Sequence, residues 1–175
     1  MKRSRVVLDM AWIGLYAALF IVFDYISNQV PFFKMPNGGT IGFSTIILLL
    51  ASYHLGWKKG VFVALLTIPL QGFFAPFYFV NIFGFFLEYV VAFALYGLAS
   101  LFPTIYIKVE IMTGVIVVNV IRFFIHLVAG VYFWEITWWG SFVYNFGYMT
   151  LTLFVGLIFT PLIYKRIKII TNHSN

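Results

Sequence analysis

Long apolar runs, separated by short polar connections, dominate the chain. They cover residues 6–27, 41–55, 60–74, 81–102, 111–133 and 140–164. A helix needs about 20 apolar residues to cross the hydrocarbon core of a bilayer. Four of the runs reach that length, while the second and third are short and would need an unusual tilt or partial re-entry. The pattern predicts an all-α membrane protein with a bundle of six transmembrane helices.

Composition agrees with a bilayer as the solvent. The chain is 63% hydrophobic and 9% charged, which excludes a soluble globular domain because the few polar residues could not cover so much apolar surface. The polar stretch 28–39, with two prolines and paired glycines, is the longest predicted loop. Six helices use up the available length, so residues 1–175 are expected to form a single domain.

The distribution of basic residues predicts the orientation of the bundle. The formal net charge is +6, but the positive residues cluster at the ends and in connections rather than on one face, so no nucleic-acid partner is expected. With both termini cytoplasmic, Lys34 alone lies in an outer connection. The inner side then holds Lys2, Arg3, Arg5, Lys58, Lys59, Lys108, Lys165, Arg166 and Lys168. This positive-inside bias predicts a multi-pass membrane protein with an even number of spans.

A few polar residues inside the apolar runs are candidates for a binding site. Glu88 is the one acidic residue well inside a long predicted span, where a carboxylate is costly and is usually functional or paired. Arg122 and His126 lie one helical turn apart in the next span. The predicted topology places Glu88, His126 and the pair Tyr144 and Asn145 at a similar outer depth, which predicts a pocket that opens outward.

Each candidate also has a structural interpretation. Glu88 could be a buried counter-ion for Arg122, and His126 or Asn145 could hold helices together through hydrogen bonds. Asp24 falls near the outer end of the first predicted span, and we expect it to be solvated.

Motifs for catalysis and energy conversion are missing from the sequence. It has no G-x-x-x-x-G-K-[ST] phosphate loop, no H-E-x-x-H, no nucleophile elbow and no cysteine. We therefore expect no enzyme, no cofactor and no metal site, and a partner that supplies energy. Ala11, Gly14 and Ala18 form a stripe of small residues that would let a partner helix approach closely. The alternative is that the stripe packs inside the bundle.

At several positions the chain resembles the thiamine-specific substrate-binding (S) components of energy-coupling factor transporters. The matching residues are Tyr78, Leu87-Glu88-Tyr89, the run Arg122, His126, Gly130, Phe133 and Trp134, and the run Ser141, Tyr144, Asn145 and Tyr148. The resemblance implies a subunit that captures the vitamin outside the cell and works with a membrane coupling subunit and two ATP-binding subunits. That family usually carries tryptophans where this chain has Gly39-Thr40 and Thr67.

The residues implied as substrate-binding suit a cationic aromatic ligand. Thiamine needs a countercharge, which Glu88 would supply, and an aromatic wall, which Trp134 and His126 would supply by stacking. The full implied set is Tyr78, Glu88, Tyr89, Arg122, His126, Gly130, Trp134, Ser141, Tyr144 and Asn145. The alternatives are an S component for another small vitamin or precursor, a stand-alone carrier, and an intramembrane enzyme that uses Glu88 and His126 as acid and base.

Overall fold

Six helices make up most of the computed structural model, which describes residues 2–74, 76–107 and 110–173. They are α1 Lys2–Gln29, α2 Phe43–Leu55, α3 Trp57–Gln71, α4 Ile82–Gly97, α5 Thr113–Tyr132 and α6 Trp138–His173. Within the described residues, α1, α5 and α6 are long and apolar enough to cross a membrane, and α2 and α4 are shorter apolar helices. The prediction of a predominantly helical membrane protein with six helices is confirmed.

The connection between α4 and α5 contains a short element that the apolar runs do not predict. The fourth helix was predicted to reach residue 102, but it ends at Gly97 and is followed by a short antiparallel hairpin, β1 Thr104–Tyr106 with β2 Glu110–Met112. A 3-10 turn, Ala99–Leu101, follows Gly97, and Pro103 prevents helical backbone beyond it, because the residue before a proline is pushed out of helical geometry. Phe102 is indeed extended, with φ −92° and ψ 143°.

Contacts between distant residues show that the helices alternate in direction. At one end, the Lys59 ammonium lies 2.7 Å from the Asp9 carboxylate, and the rings of Tyr53 and Tyr164 are 5.9 Å apart. We call this the basic end, because it carries Arg5, Lys58, Lys59, Lys165, Arg166 and Lys168. Lys108 lies outside the described residues, as do the side chains of Lys2 and Arg3. The loops 30–42, 76–81 and 133–137 meet at the opposite end, which we call the cavity end.

Helix α2 lies at the centre of the bundle. Its residues from Ser44 to Ser52 are all buried, and Leu48 and Leu49 are fully enclosed. Helices α1, α3 and α6 pack around it, together with the part of α4 that contains Phe93 and Tyr96. At about 1.5 Å per residue, its 13 residues span roughly 20 Å, less than a bilayer core. Its neighbours shield it from lipid, which explains how a short apolar helix occupies this position.

The small-residue stripe on α1 faces outward. Ala11, Gly14 and Ala18 are all exposed, and a Cβ atom added to Gly14 would meet nothing within 4 Å. The opposite side of the helix, with Tyr16, Ala17 and Phe20, is buried in the bundle. The alternative that the stripe packs internally is therefore wrong.

Candidate functional site

A cavity of about 130 Å³ with many polar side chains in its wall lies at the cavity end and is bordered by all six helices. The structure brings all ten predicted substrate-binding residues to this one cavity. They are Tyr78, Glu88, Tyr89, Arg122, His126, Gly130, Trp134, Ser141, Tyr144 and Asn145.

Glu88 projects from an irregular stretch of α4. The helix begins where the Asn81 side chain accepts a hydrogen bond of 2.9 Å from the Gly84 amide. After one α-helical turn the backbone widens into a π-helical segment, Phe86–Val91, and returns to α-helix at Ala92. Such segments are rare and frequently lie at functional sites. This one contains both Glu88 and Tyr89.

The Glu88 carboxylate has two polar neighbours from the α5 side of the cavity. Its Oε2 accepts a hydrogen bond of 3.2 Å from the indole Nε1 of Trp134, and its Oε1 lies 3.6 Å from Nδ1 of His126. The side chains of Glu88 and His126 are 12% and 13% exposed. On the other side of the imidazole, Arg122 Nε donates to His126 Nε2 at 3.3 Å. Because a guanidinium can only donate, the proton of a neutral His126 lies on Nδ1 and faces Glu88.

Arg122 is held by aromatic residues rather than by a carboxylate. Its Nη1 donates to the Tyr96 hydroxyl at 2.9 Å, and its guanidinium lies 5.3 Å and 5.5 Å from the ring centres of Tyr96 and Phe93. Within the described residues, the ion-pair contact of Glu88 is with His126 and not with Arg122. The counter-ion interpretation of Glu88 is therefore not the arrangement that the structure adopts.

Helix α6 contributes a network of amide and hydroxyl groups. Asn145 Nδ2 donates to the Ser141 carbonyl at 2.9 Å, and Asn145 Oδ1 accepts from the Tyr148 hydroxyl at 2.8 Å. The Ser141 hydroxyl donates to the Leu127 carbonyl at 2.9 Å, which ties α6 to α5. Gly130 makes this approach possible, since a Cβ atom there would lie 3.0 Å from the Ser141 Cβ and closer still to its Oγ.

Two loops are fixed over the cavity by tyrosines. The Tyr89 hydroxyl accepts from the Tyr78 amide at 2.9 Å and donates to the Tyr78 carbonyl at 3.2 Å. The Tyr78 ring packs against Gly38, whose φ of +95° favours glycine. The Tyr144 hydroxyl donates to the carbonyl of Pro36 and so joins α6 to the first loop. These contacts with backbone groups hold the loops in place, so part of the role of Tyr78, Tyr89 and Tyr144 is to form the cavity wall.

The sequence-based expectation for Asp24 is wrong. Its side chain is buried, with 5% exposure, and it borders the cavity. It accepts hydrogen bonds from Gln71 Nε2 at 2.8 Å, and from Ser44 Oγ and Asn28 Nδ2 at 3.3 Å each. Helix α1 continues to Gln29, beyond the predicted end at residue 27, and α2 and α3 cover the carboxylate. The argument applied to Glu88, that a carboxylate inside an apolar helix is rarely there without a role, could have identified it.

The charged side chains around the cavity do not balance. Asp24 and Glu88 contribute two carboxylates and Arg122 one guanidinium, so one negative charge remains when both carboxylates are ionised and His126 is neutral. An uncompensated charge in a poorly solvated site is costly, and a monovalent organic cation would balance it. No group of three or more His, Asp or Glu side chains in the described residues could hold a metal ion.

Comparison with known proteins identifies the family. The model of the family described as "Thiamine transporter protein (Thia_YuaJ)" matches residues 10–171. The chain belongs to this family. The protein described as "Thiamine transporter ThiT" of Bacillus subtilis (strain 168) is 24% identical to it over 182 residues, an alignment that covers 94% of each chain. The resemblance identified from the site residues is confirmed at the level of the family, and the protein is a membrane transporter rather than an enzyme.

This member of the thiamine transporter family lacks tryptophans at two places where the family usually carries them. The two places differ in their surroundings. Gly39 and Thr40 border the cavity. Thr67 is fully buried in α3, where its hydroxyl donates to the Ala64 carbonyl at 2.7 Å, and it is not among the cavity-lining residues. The first departure therefore lies at the cavity wall, and the second lies within the helix packing.

Proposed function

We propose that the cavity binds thiamine and that the protein is the substrate-binding (S) component of an energy-coupling factor transporter. The observation that carries the proposal is the residual negative charge of the cavity, at Glu88, beside the indole of Trp134. Thiamine carries a permanent positive charge on an aromatic thiazolium ring. It would therefore balance this charge whenever the carboxylate is ionised, while a neutral vitamin would leave it uncompensated.

The surroundings of Glu88 support a defined placement of the thiazolium. Trp134 and His126 each point a ring nitrogen at the carboxylate, so two aromatic rings, and with them their faces, lie next to it. A desolvated cation over such a face gains about 2 kcal/mol or more. The aminopyrimidine would then lie toward α6. Asn145 has hydrogen-bonding capacity left there, and the hydroxyl oxygens of Ser141 and Tyr144, which already donate to carbonyls, can still accept.

The distribution of basic residues between the two ends of the bundle supports a site that faces the outside of the cell. If the basic end is cytoplasmic, as the positive-inside rule requires, the cavity opens to the outside of the plasma membrane. The exposed stripe of Ala11, Gly14 and Ala18 on α1 is the surface that we assign to a membrane coupling subunit, because small residues let helices approach closely. Two ATP-binding subunits would supply the energy for uptake.

Two measurements on the purified protein test this function. Equilibrium binding of thiamine should be saturable with one site, and mass spectrometry should recover the vitamin unchanged. Chemical conversion would instead favour the intramembrane enzyme, and saturable binding of a different vitamin would change the substrate. In proteoliposomes, ATP-dependent accumulation should require a coupling subunit and its ATP-binding subunits. Accumulation against a gradient by the chain alone would favour a stand-alone carrier.

A further inference from the structure

Gln71 carries an unsatisfied hydrogen-bond acceptor beside the cavity. The residue borders the cavity and is 8% exposed, and its Oε1 is buried without a hydrogen-bond partner. Its Nε2 donates to Asp24 Oδ2 at 2.8 Å. Because a carboxylate accepts this bond, the orientation of the amide is fixed, and Oε1 is left as the atom that needs a donor. Buried polar atoms of this kind are uncommon and call for an explanation.

Asp24 is the neighbouring group with spare capacity. Its carboxylate can accept about four hydrogen bonds. Three are made, and two of them, from Ser44 and Asn28, are long at 3.3 Å. No ion pair found among the described residues includes Asp24. A buried carboxylate and a buried amide oxygen thus lie side by side at the cavity wall formed by α1 and α3. The carboxylate can accept a further hydrogen bond, and the amide oxygen has no donor.

We propose that Asp24 and Gln71 form a second ligand subsite, which accepts hydrogen bonds from an N–H or O–H group of the bound vitamin. This inference rests on the proposed function. Glu88 stands on α4 and contacts residues of the α5 side, whereas Asp24 and Gln71 stand on α1 and α3, so the ligand bridges the two halves of the bundle. Thiamine has two groups with the required chemistry, the amino group of its pyrimidine and the hydroxyl group of its side chain.

Two variants and a matched control test the subsite. Gln71→Met keeps the length of the side chain and removes its polar atoms, and Asp24→Asn keeps the shape and removes the charge. Each should weaken thiamine binding about tenfold, the cost of a hydrogen bond to a charged or buried group. Thr67→Val is the control, since Thr67 is one turn away on the same helix, is buried, and does not border the cavity. Its affinity should stay within about twofold of the wild type.

Two thiamine analogues identify the donor. One carries oxygen in place of the pyrimidine amino group, and the other carries chlorine in place of the hydroxyl group. The analogue that lacks the true donor should bind the wild type about tenfold more weakly than thiamine does, and Gln71→Met should add little to that loss. If the wild type binds thiamine while both variants bind it with wild-type affinity, the subsite is overturned and the proposed function stands. A wild type that does not bind thiamine overturns both.

Discussion

The indole Nε1 of Trp134 donates a hydrogen bond of 3.2 Å to the Glu88 carboxylate, although 46 residues separate them in the chain. This bond fixes the position of a charged group without neutralising it. The nearby guanidinium of Arg122 is engaged by Tyr96 and His126 instead. Glu88 is therefore both oriented and available to a cationic ligand.

Glu88→Gln should weaken thiamine binding by about tenfold or more, because it removes the countercharge in a largely buried site. The ligand-free protein should melt near the wild-type temperature, since the variant does not release an Arg122 partner. Isothermal titration calorimetry and thermal melting in detergent measure the two effects.

The matched control for Glu88 is Glu110→Gln, which removes the same charge from the hairpin at the opposite end of the bundle. It should bind like the wild type. A Glu88→Gln protein that binds thiamine normally would show that Glu88 is not the countercharge. A large loss of ligand-free stability would show that its main role is structural.

Trp134→Ala should cost more affinity than Trp138→Ala or Trp139→Ala. Trp134 borders the cavity, whereas Trp138 and Trp139 are 54% and 74% exposed, as expected for an interfacial belt. Trp134→Phe should fall between the wild type and Trp134→Ala, because it keeps a ring and loses the bond to Glu88. Equal small losses at all three tryptophans, measured by equilibrium binding, would mean that the ring of Trp134 takes no part in the pocket.

Gly130→Ala should destabilise the protein by about 1–3 kcal/mol and weaken binding, because the added methyl group meets Ser141 where α5 and α6 approach each other. Gly147→Ala is the control, since a Cβ atom at Gly147 meets nothing within 4 Å. It should leave the affinity unchanged and should not lower the melting temperature, because alanine favours the helix over glycine. Equal behaviour of the two variants would refute the role of Gly130 in helix packing.

Gly14→Leu should abolish ATP-dependent uptake while sparing thiamine binding. The position is exposed and open in the isolated protein, so the larger side chain should obstruct only a partner helix. Gly147→Leu adds the same bulk at an equally open position on α6 and should retain uptake. Proteoliposome uptake with the coupling and ATP-binding subunits checks this prediction. Wild-type uptake by Gly14→Leu would place the docking surface elsewhere.

The apolar runs were sufficient to predict the six helices, since each buried or lipid-facing helix must be apolar over most of its length. They could not indicate the hairpin, because its strands Thr104–Tyr106 and Glu110–Met112 have three residues each, too few to show an alternating pattern. Nor could they indicate the π-helical segment at Glu88. Its geometry depends on tertiary packing rather than on local residue preference.

The half of the cavity formed by α4, α5 and α6 could be anticipated, because its residues repeat at helical spacing around one costly carboxylate. The half formed by α1 and α3 could not be anticipated, because the predicted end of the first helix placed Asp24 near the membrane surface. An error of two residues moved it from the interior to the surface. Gln71 gave no signal of its own, as its unsatisfied oxygen becomes apparent only when the neighbouring side chains are in place.

The most direct test of the account is a titration of intrinsic tryptophan fluorescence in the purified protein with a panel of vitamins. Trp134 lies at the proposed position of the thiazolium, so thiamine should change the emission in a saturable manner with one site for each chain. Neutral vitamins should leave the emission unchanged, and Glu88→Gln should shift the thiamine curve to about tenfold higher concentration or more. An emission that does not respond to thiamine, or that saturates with a neutral vitamin instead, would contradict the account.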